Sequence, residues 1–182
     1  MAVKSLFLDR DGVINERIPN AYINRWDDFH FCQGAVEALQ LLQQHFDHLF
    51  IVTNQQGIGK GLMTVKQLED IHEKMLKELQ KAEVSVDAVY FCGTLKQEEP
   101  NCRKPNPAMG LQAKKDFPTI DFGQSIMVGD SIVDLQFGRN LSMRTVLITT
   151  KLEEQHLWIP HKADWDWRFP SLWDWAKSLE AR

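Results

Sequence analysis

Two carboxylates one residue apart are the residues of this sequence best suited to do chemistry. Asp9 and Asp11 follow the apolar run of residues 6–8, and Gly12 comes next. Such a run predicts the end of a buried strand, and ligands of open α/β sheets gather at the carboxyl ends of strands. The Asp-x-Asp-Gly pattern overlaps part of a calcium loop, but that loop needs a helix on each side and its glycine at another offset. We therefore expect both carboxylates at the mouth of a crevice.

Other polar groups also follow predicted strands or precede predicted helices. Thr53 ends the second strand, and Gly57 and Gly59 then expose backbone amides that suit an anion. A Walker loop is excluded, because Gly61 takes the place that Ser or Thr must hold after Lys60. Further groups are Arg103-Lys104, before a helix, and Asp130-Ser131, after the fourth strand. All of them are expected at one edge of the sheet.

The elements that must position these residues alternate along the chain. Strands are predicted over residues 3–8, 48–52, 84–91, 125–128 and 145–148, and helices follow from Gly34, Thr64, Asn106 and Ile132. This alternation predicts right-handed crossovers and a mostly parallel sheet with a helix layer on each face. The spans between Asn15 and Lys104 leave no room for a cap domain, so loops, chiefly 16–24 and 93–103, are expected to cover the site.

Composition limits the class of protein. The chain has 182 residues, of which 43% are hydrophobic, so we expect one domain over residues 1–182. The net charge is −4 and no basic block occurs, which argues against a nucleic-acid partner. We see no signal-peptide layout or long apolar span, and expect a cytoplasmic monomer without a membrane partner.

Residues 151–182 hold most of the tryptophans. Trp165 and Trp167 alternate as in a short strand, and Trp173 and Trp175 fit a closing helix, so packing is favoured over sugar stacking. Cys32, Cys92 and Cys102 form an odd, widely spaced set, which indicates reduced thiols rather than a disulfide framework.

Four ordered motifs carry a family resemblance: Phe-Leu-Asp-Arg-Asp-Gly, Thr-Asn-Gln-x-Gly-Ile, Cys-Arg-Lys-Pro-x-Pro and Val-Gly-Asp. Over residues 3 to about 150 the chain resembles the haloacid dehalogenase (HAD) superfamily, in the branch with heptose bisphosphate phosphatases and histidinol phosphatases. The resemblance implies a Rossmann-like three-layer α/β fold without a separate cap domain. It also implies hydrolysis of a small phosphorylated metabolite, a heptose 1,7-bisphosphate rather than histidinol phosphate.

The resemblance further implies residue roles. Asp9 would attack phosphorus to form an aspartyl phosphate, and Asp11 would act as acid and base. Mg²⁺ would be held by the Asp9 carboxylate, the Asp11 carbonyl and Asp130, in keeping with its preference for oxygen ligands. Lys104 and Thr53 would contact the transferred phosphoryl group.

Substrate contacts are expected around this centre. By the same resemblance Arg103 would contact the substrate beyond the transferred group, and with Arg17 and Lys60 it could hold a second phosphate. Asp134 either orients Lys104 or the metal waters, or is a carboxylate on a helix surface. The remaining substrate-binding candidates are Asn54, Gln55, Gln56 and Ser131.

Two alternatives from other classes concern metal ions. A receiver-type signalling domain also gathers carboxylates around Mg²⁺, but it needs no acid two residues after its phosphorylated aspartate, so Asp11 favours turnover. A zinc-stabilised binding module is suggested by Cys92 and Cys102. Zinc-bearing relatives carry Cys-x-His and Cys-x-Cys before Arg-Lys-Pro, and one His and one Cys are missing here. Structural zinc almost always takes four ligands, so we predict that it is absent and that these thiols are free.

Overall fold

The computed structural model of the chain describes residues 4–18, 21–158 and 160–180. Its strands are β1 (Ser5–Leu8), β2 (His48–Asn54), β3 (Ala88–Cys92), β4 (Ile126–Gly129), β5 (Arg144–Ile148) and β6 (Trp167–Phe169). They form one six-stranded sheet in the order β3-β2-β1-β4-β5-β6, and every neighbouring pair is parallel. The strand order reverses at β1, which makes the carboxyl ends of β1 and β4 the expected ligand crevice.

The helices are α1 (Ala35–Leu42), α2 (Val65–Lys81), α3 (Ala108–Asp116), α4 (Ile132–Asn140), α5 (Gln155–Trp158) and α6 (Leu172–Glu180). Short 3₁₀ helices span Trp26–Asp28, Phe122–Gln124, Leu152–Glu154 and Lys162–Asp164. Within the described ranges, none of the helices has the length and apolar character needed to cross a bilayer.

Side chains of β1 alternate between the two faces of the sheet and separate two cores. Leu6 and Leu8 belong to a core with residues of α1, α2 and α6, whereas Phe7 packs with residues of α3 and α4. Helices therefore cover both faces, and the predicted three-layer α/β fold with a parallel sheet is confirmed. Because both faces of β1 are buried, residues 6–8 of the strand are apolar without alternation.

Helix α2 begins where the sequence predicts. The Thr64 hydroxyl accepts a hydrogen bond from the Gln67 amide, and the Gln67 side chain accepts one from the Thr64 amide. This capping box satisfies two amides that have no partner inside the helix. The third strand, in contrast, begins at Ala88 rather than Val84, because the Val84 amide still donates to the Leu79 carbonyl at the end of α2.

The C-terminal segment completes the sheet. Strand β6 pairs with β5, and Trp175 of α6 is buried against Phe46. Trp158 is also buried, and the strand begins at Trp167 rather than Trp165. No tryptophan lines the central cavity among the described residues, so packing is the role that the structure gives them.

The expectation of free thiols at Cys92 and Cys102 is wrong. Cys92 ends β3, the loop after it returns to the same edge of the sheet, and the two residues form a disulfide with their Cα atoms 5.6 Å apart. Cys32 is free, as expected. The return of the loop cannot be read from the ten-residue separation of the two cysteines.

Candidate active site

A cavity of about 750 Å³ opens at the carboxyl edge of the sheet and gathers most of the predicted site residues. Those that line it are Asp9, Asp11, Arg17, Asn54, Gln55, Arg103, Lys104, Asp130 and Ser131, together with Lys60 and Asp134. Gln56 and Thr53 are outside this lining in the part of the chain that the structure describes. Thr53 is fully buried, and its hydroxyl oxygen accepts a hydrogen bond from Gln55 Nε2 at 2.9 Å.

Lys104 contacts three segments of the chain at the base of this cavity. Its Nζ lies 2.9 Å from Asp9 Oδ1 and 2.7 Å from Asp134 Oδ1, and it donates to the Val52 carbonyl at 2.7 Å. Burial alone would lower the pKa of Lys104, but Asp134 and Asp9 outweigh burial and raise it. Lys104 is therefore a fixed cation beside Asp9. Of the two interpretations of Asp134, the structure favours orientation of Lys104.

The Val-Gly-Asp motif allows α4 to approach the sheet closely. A Cβ on Gly129 would lie 2.1 Å from Asp134 Cβ, so only glycine fits there. The Asp134 carboxylate in turn accepts hydrogen bonds from the Ser131 amide and hydroxyl, at 3.1 and 2.5 Å. These bonds cap α4 and fix the carboxylate that holds Lys104.

The carboxylates of Asp9, Asp130 and Asp134 concentrate negative charge. One oxygen from each lies within 4.8 Å of the others, and Asp130 Oδ2 is buried without a hydrogen-bond partner in the described structure. Burial and the neighbouring carboxylates raise the pKa of Asp130 well above its usual value, and burial followed by Asp134 raises the pKa of Asp9 to about 7. A buried oxygen without a hydrogen bond, among crowded carboxylates, fits a hard divalent cation such as Mg²⁺. Both carboxylate oxygens of Asp134 are already engaged, with Lys104 and Ser131, whereas Asp9 and Asp130 each keep an oxygen without a hydrogen bond among the described residues, so these two are the ligands available.

Asp11 is held by donors from three directions. Its carboxylate accepts hydrogen bonds from Arg10 Nη2 and Gln55 Nε2, each at 2.9 Å, and from Asn15 Nδ2 at 3.0 Å. Burial alone would raise the pKa of Asp11, but Arg10 and these hydrogen bonds outweigh burial and lower it. The resting carboxylate is therefore ionised. Sequence reasoning gave no role to Arg10 or Asn15, although Arg10 is part of the first motif and Asn15 follows it by three residues.

Loops form the rim of the cavity. Arg17 Nη1 lies 3.1 Å from Glu153 Oε1 and 3.6 Å from Asp130 Oδ2. Lys60 Nζ lies 5.3 Å from the centre of the Tyr22 ring, which joins the first loop to the one after β2. Residues 19 and 20 of the first loop are outside the described residues. The sequence predicted this loop as a wall of the site but did not single out Tyr22, nor Lys151 and Glu153 of the C-terminal segment.

The second predicted loop brings Arg103 to the cavity. Asn101 Oδ1 accepts a hydrogen bond from the Arg103 amide at 2.8 Å, and Asn101 Nδ2 donates to the Leu95 carbonyl at 3.1 Å. Asn54 Oδ1 accepts one from the Lys104 amide at 2.9 Å. Asn54, predicted to bind substrate, thus also fixes the backbone of Lys104.

An aspartate pair, a buried lysine and a third carboxylate thus lie together at the carboxyl edge of a parallel sheet, an arrangement suited to phosphoryl transfer. Residues 101–174 match the HAD-hydrolase-like family model. A Helicobacter pylori D-glycero-beta-D-manno-heptose-1,7-bisphosphate 7-phosphatase is 36% identical, over 96% of this chain and 97% of its own. A Campylobacter jejuni D-glycero-alpha-D-manno-heptose-1,7-bisphosphate 7-phosphatase is 37% identical, over 85% and 87%.

Solved structures agree with these relatives. The D,D-heptose 1,7-bisphosphate phosphatase from B. bronchiseptica, solved with magnesium and phosphate, has a TM-score of 0.84 and 28% identity, and the match covers 98% of both chains. The chain belongs to the HAD superfamily and is a phosphatase of that superfamily.

Proposed function

We propose that this protein is a Mg²⁺-dependent phosphatase that removes the C7 phosphate of D-glycero-D-manno-heptose 1,7-bisphosphate through an aspartyl phosphate on Asp9. The observation that carries the proposal is the environment of Asp9, which lies beside the fixed Lys104 cation and near a buried oxygen of Asp130 that has no hydrogen bond among the described residues. The substrates named for the Helicobacter and Campylobacter relatives support the choice of sugar.

Asp9 is arranged to attack with one oxygen. Its Oδ1 accepts hydrogen bonds from Lys104 Nζ at 2.9 Å and from the Arg10 amide at 2.8 Å, whereas Oδ2 accepts none among the described residues. Oδ2 is therefore the oxygen available to phosphorus. Held by Asp9 and Asp130, Mg²⁺ would supply positive charge to the phosphoryl oxygens, where the transition-state charge is spread. Lys104 adds a second cation that needs no reorganisation during the reaction.

Asp11 serves both half-reactions in this proposal. Its lowered pKa keeps the carboxylate ionised, as it must be to accept a proton from the water that attacks the aspartyl phosphate. For the first half-reaction the carboxyl group must carry a proton to the leaving oxygen. An anionic phosphate beside Asp11 raises its pKa and favours that protonated form.

The charge of the rim favours a bisphosphate over histidinol phosphate. Besides Lys104, the cations that line the cavity are Arg17, Lys60, Arg103 and Lys151. One substrate phosphate at Asp9 leaves Arg103 and Lys60 at the rim for a second phosphate, for which arginine provides a matching fork. Histidinol phosphate would bring an ammonium group to the same region, where like charges repel.

The test is kcat/KM for both anomers of heptose 1,7-bisphosphate and for histidinol phosphate, with added Mg²⁺ and with EDTA. We expect a preference for a heptose bisphosphate of more than about 100-fold, because differential binding of the transition state sets this ratio. EDTA should abolish the activity, and Mg²⁺ should restore it. A preference for histidinol phosphate, or full activity in EDTA, would contradict the proposal.

We further propose a cytoplasmic monomer with one domain over residues 1–182 and no membrane or nucleic-acid partner. Structural zinc is proposed to be absent, and bonding of Cys92 to Cys102 supports this, because a disulfide offers no thiolate ligand. Elemental analysis of protein purified without chelator tests the prediction. About one tightly held zinc per chain would contradict it.

A further inference from the structure

Arg10 links the acid–base carboxylate to a helix outside the cavity. Its side chain is only 1% exposed, and Nη2 donates to Asp11 Oδ1 and Oδ2 at 2.9 and 3.1 Å. Its Nη1 lies 3.0 Å from Nε2 of His72, on α2. A guanidinium has donors only, so His72 Nε2 accepts this hydrogen bond and the imidazole proton is on Nδ1.

His72 is kept in this neutral, accepting form. Burial, with a further contribution from Arg10, lowers the pKa of His72 to about 3. No proton therefore competes with Arg10 for Nε2 near neutral pH. The other buried residues of α2 are the apolar Leu68, Ile71, Met75 and Leu79. The other buried side chains on this helix face pack through apolar contacts. The imidazole of His72 differs from them in making a polar contact, with Arg10.

We propose that His72 is a positioning residue for proton transfer, holding the Arg10 guanidinium that in turn holds the Asp11 carboxylate. The inference rests on the proposed function, since it requires Asp11 to act as acid and base. In the described part of the chain, His72 is not among the residues that line the cavity. In this proposal it acts only through Arg10. Its loss should therefore produce a kinetic defect specific to proton transfer by Asp11.

The expected kinetic defect depends on the leaving group. As the bond from Asp9 Oδ2 to phosphorus forms, the bond from phosphorus to the leaving oxygen breaks, and an alkoxide takes the Asp11 proton as it departs. A nitrophenolate is a weak base and departs without that proton. The ratio kcat/KM covers only the steps up to departure of the alcohol or phenol. It is thus independent of the later hydrolysis of the aspartyl phosphate, which both substrates share.

The experiment compares kcat/KM for heptose 1,7-bisphosphate and for 4-nitrophenyl phosphate, with Mg²⁺, in the wild type, His72→Leu and His72→Gln. Leucine removes the acceptor, whereas glutamine offers Oε1 near the position of Nε2. Ile71→Val, in the same helix and core, is the matched control.

We expect His72→Leu to lower kcat/KM about 10- to 100-fold for the heptose and less than about threefold for the nitrophenyl ester, as loss of acid positioning requires. His72→Gln should restore most of the loss, and Ile71→Val should leave the ratio of the two substrates unchanged. Equal losses on both substrates, or no loss, would overturn the proposal.

A folding failure does not prevent the test. If His72→Leu does not fold, His72→Asn makes the same comparison, because its shorter amide does not reach Arg10 Nη1. If the wild type hydrolyses the nitrophenyl ester but not the heptose bisphosphate, the substrate assignment fails by itself. Glycerol 1-phosphate, another alkyl ester, then replaces the heptose in the comparison.

Discussion

The floor and the rim of the cavity are built in different ways. The floor consists of Asp9, Lys104, Asp130 and Asp134, and the rim of Arg17, Tyr22, Lys60, Arg103 and Glu153. On the floor, the side chains of Lys104 and Asp134 are 1% exposed and 2.7 Å apart, whereas at the rim Arg17 and Glu153 are 36% and 65% exposed. Buried ion pairs are fixed and costly to break, and exposed ones contribute little. We therefore expect the floor to supply the chemistry and the rim to determine the choice of substrate.

The strongest test of the floor is Asp9→Asn. The substitution removes the nucleophile at almost constant volume, so kcat should fall by more than about 10⁴ while the protein stays folded. Initial rates and thermal unfolding measure the two quantities. Substantial turnover in a folded variant would exclude Asp9 as the nucleophile.

Asp134→Asn tests whether orientation of Lys104 matters as much as its presence. The amide replaces one partner of a buried ion pair, and we expect a loss in kcat of about 100-fold, because small displacements of reacting groups are costly. The matched control is Asp70→Asn, which breaks an exposed pair with Lys74 of 2.9 Å. That control should cost less than about 1 kcal/mol and leave kcat unchanged. A similar kcat in the two variants would contradict the expectation that the buried ion pair matters for turnover and the exposed one does not.

The buried network behind the floor predicts a pH-dependent stability. The pKa of His72 is lowered from 6.5 to about 3 in the folded state, so below pH 6.5 the unfolded chain takes up a proton that the folded chain does not. Stability is therefore lost as pH falls from about 6.5 towards 3. Relative to His72→Gln, the wild type should lose about 2 kcal/mol of unfolding free energy between pH 7.5 and pH 5. Urea unfolding at both pH values measures this, and parallel curves for the two proteins would contradict it.

Substitutions at the rim should change substrate binding and leave the chemical step unchanged. Arg103→Ala should raise KM for heptose 1,7-bisphosphate about tenfold and change kcat little, because a second phosphate contacts the rim equally in the ground and transition states. A heptose 7-phosphate without the second phosphate is the matched substrate and should show no such change. A large fall in kcat on both substrates would place Arg103 with the floor.

The sequence predicts the floor better than the rim. Asp9 and Asp130 directly follow strands and Lys104 lies shortly before a helix, and a parallel sheet brings such positions to one edge, so the order of the motifs along the chain was sufficient to predict that they meet. Asp134 could not be assigned, because a residue in the first turn of a helix can face solvent or sheet. The close approach of Asp134 to Gly129 and its contact with Lys104 decide between them.

The failures concern contacts between segments. His72 is one polar residue on an apolar helix face, and its partner Arg10 is 62 residues away. The free-thiol prediction for Cys92 and Cys102 failed for a similar reason, because it depends on the return of a loop to the sheet. Gln56 follows two residues that do line the cavity, yet the turn after β2 carries it away from the lining.

The contacts of Lys104 also make activity a reporter of complete folding. Its ammonium group joins Asp9, 95 residues earlier, to the Val52 carbonyl, 52 residues earlier, and to the first turn of α4. Bringing such distant segments together costs loop-closure entropy before any contact repays it. A partly assembled sheet consequently lacks the site, because one or more contacts of Lys104 are missing. During refolding, turnover should appear with the last segment to dock, whichever segment that is.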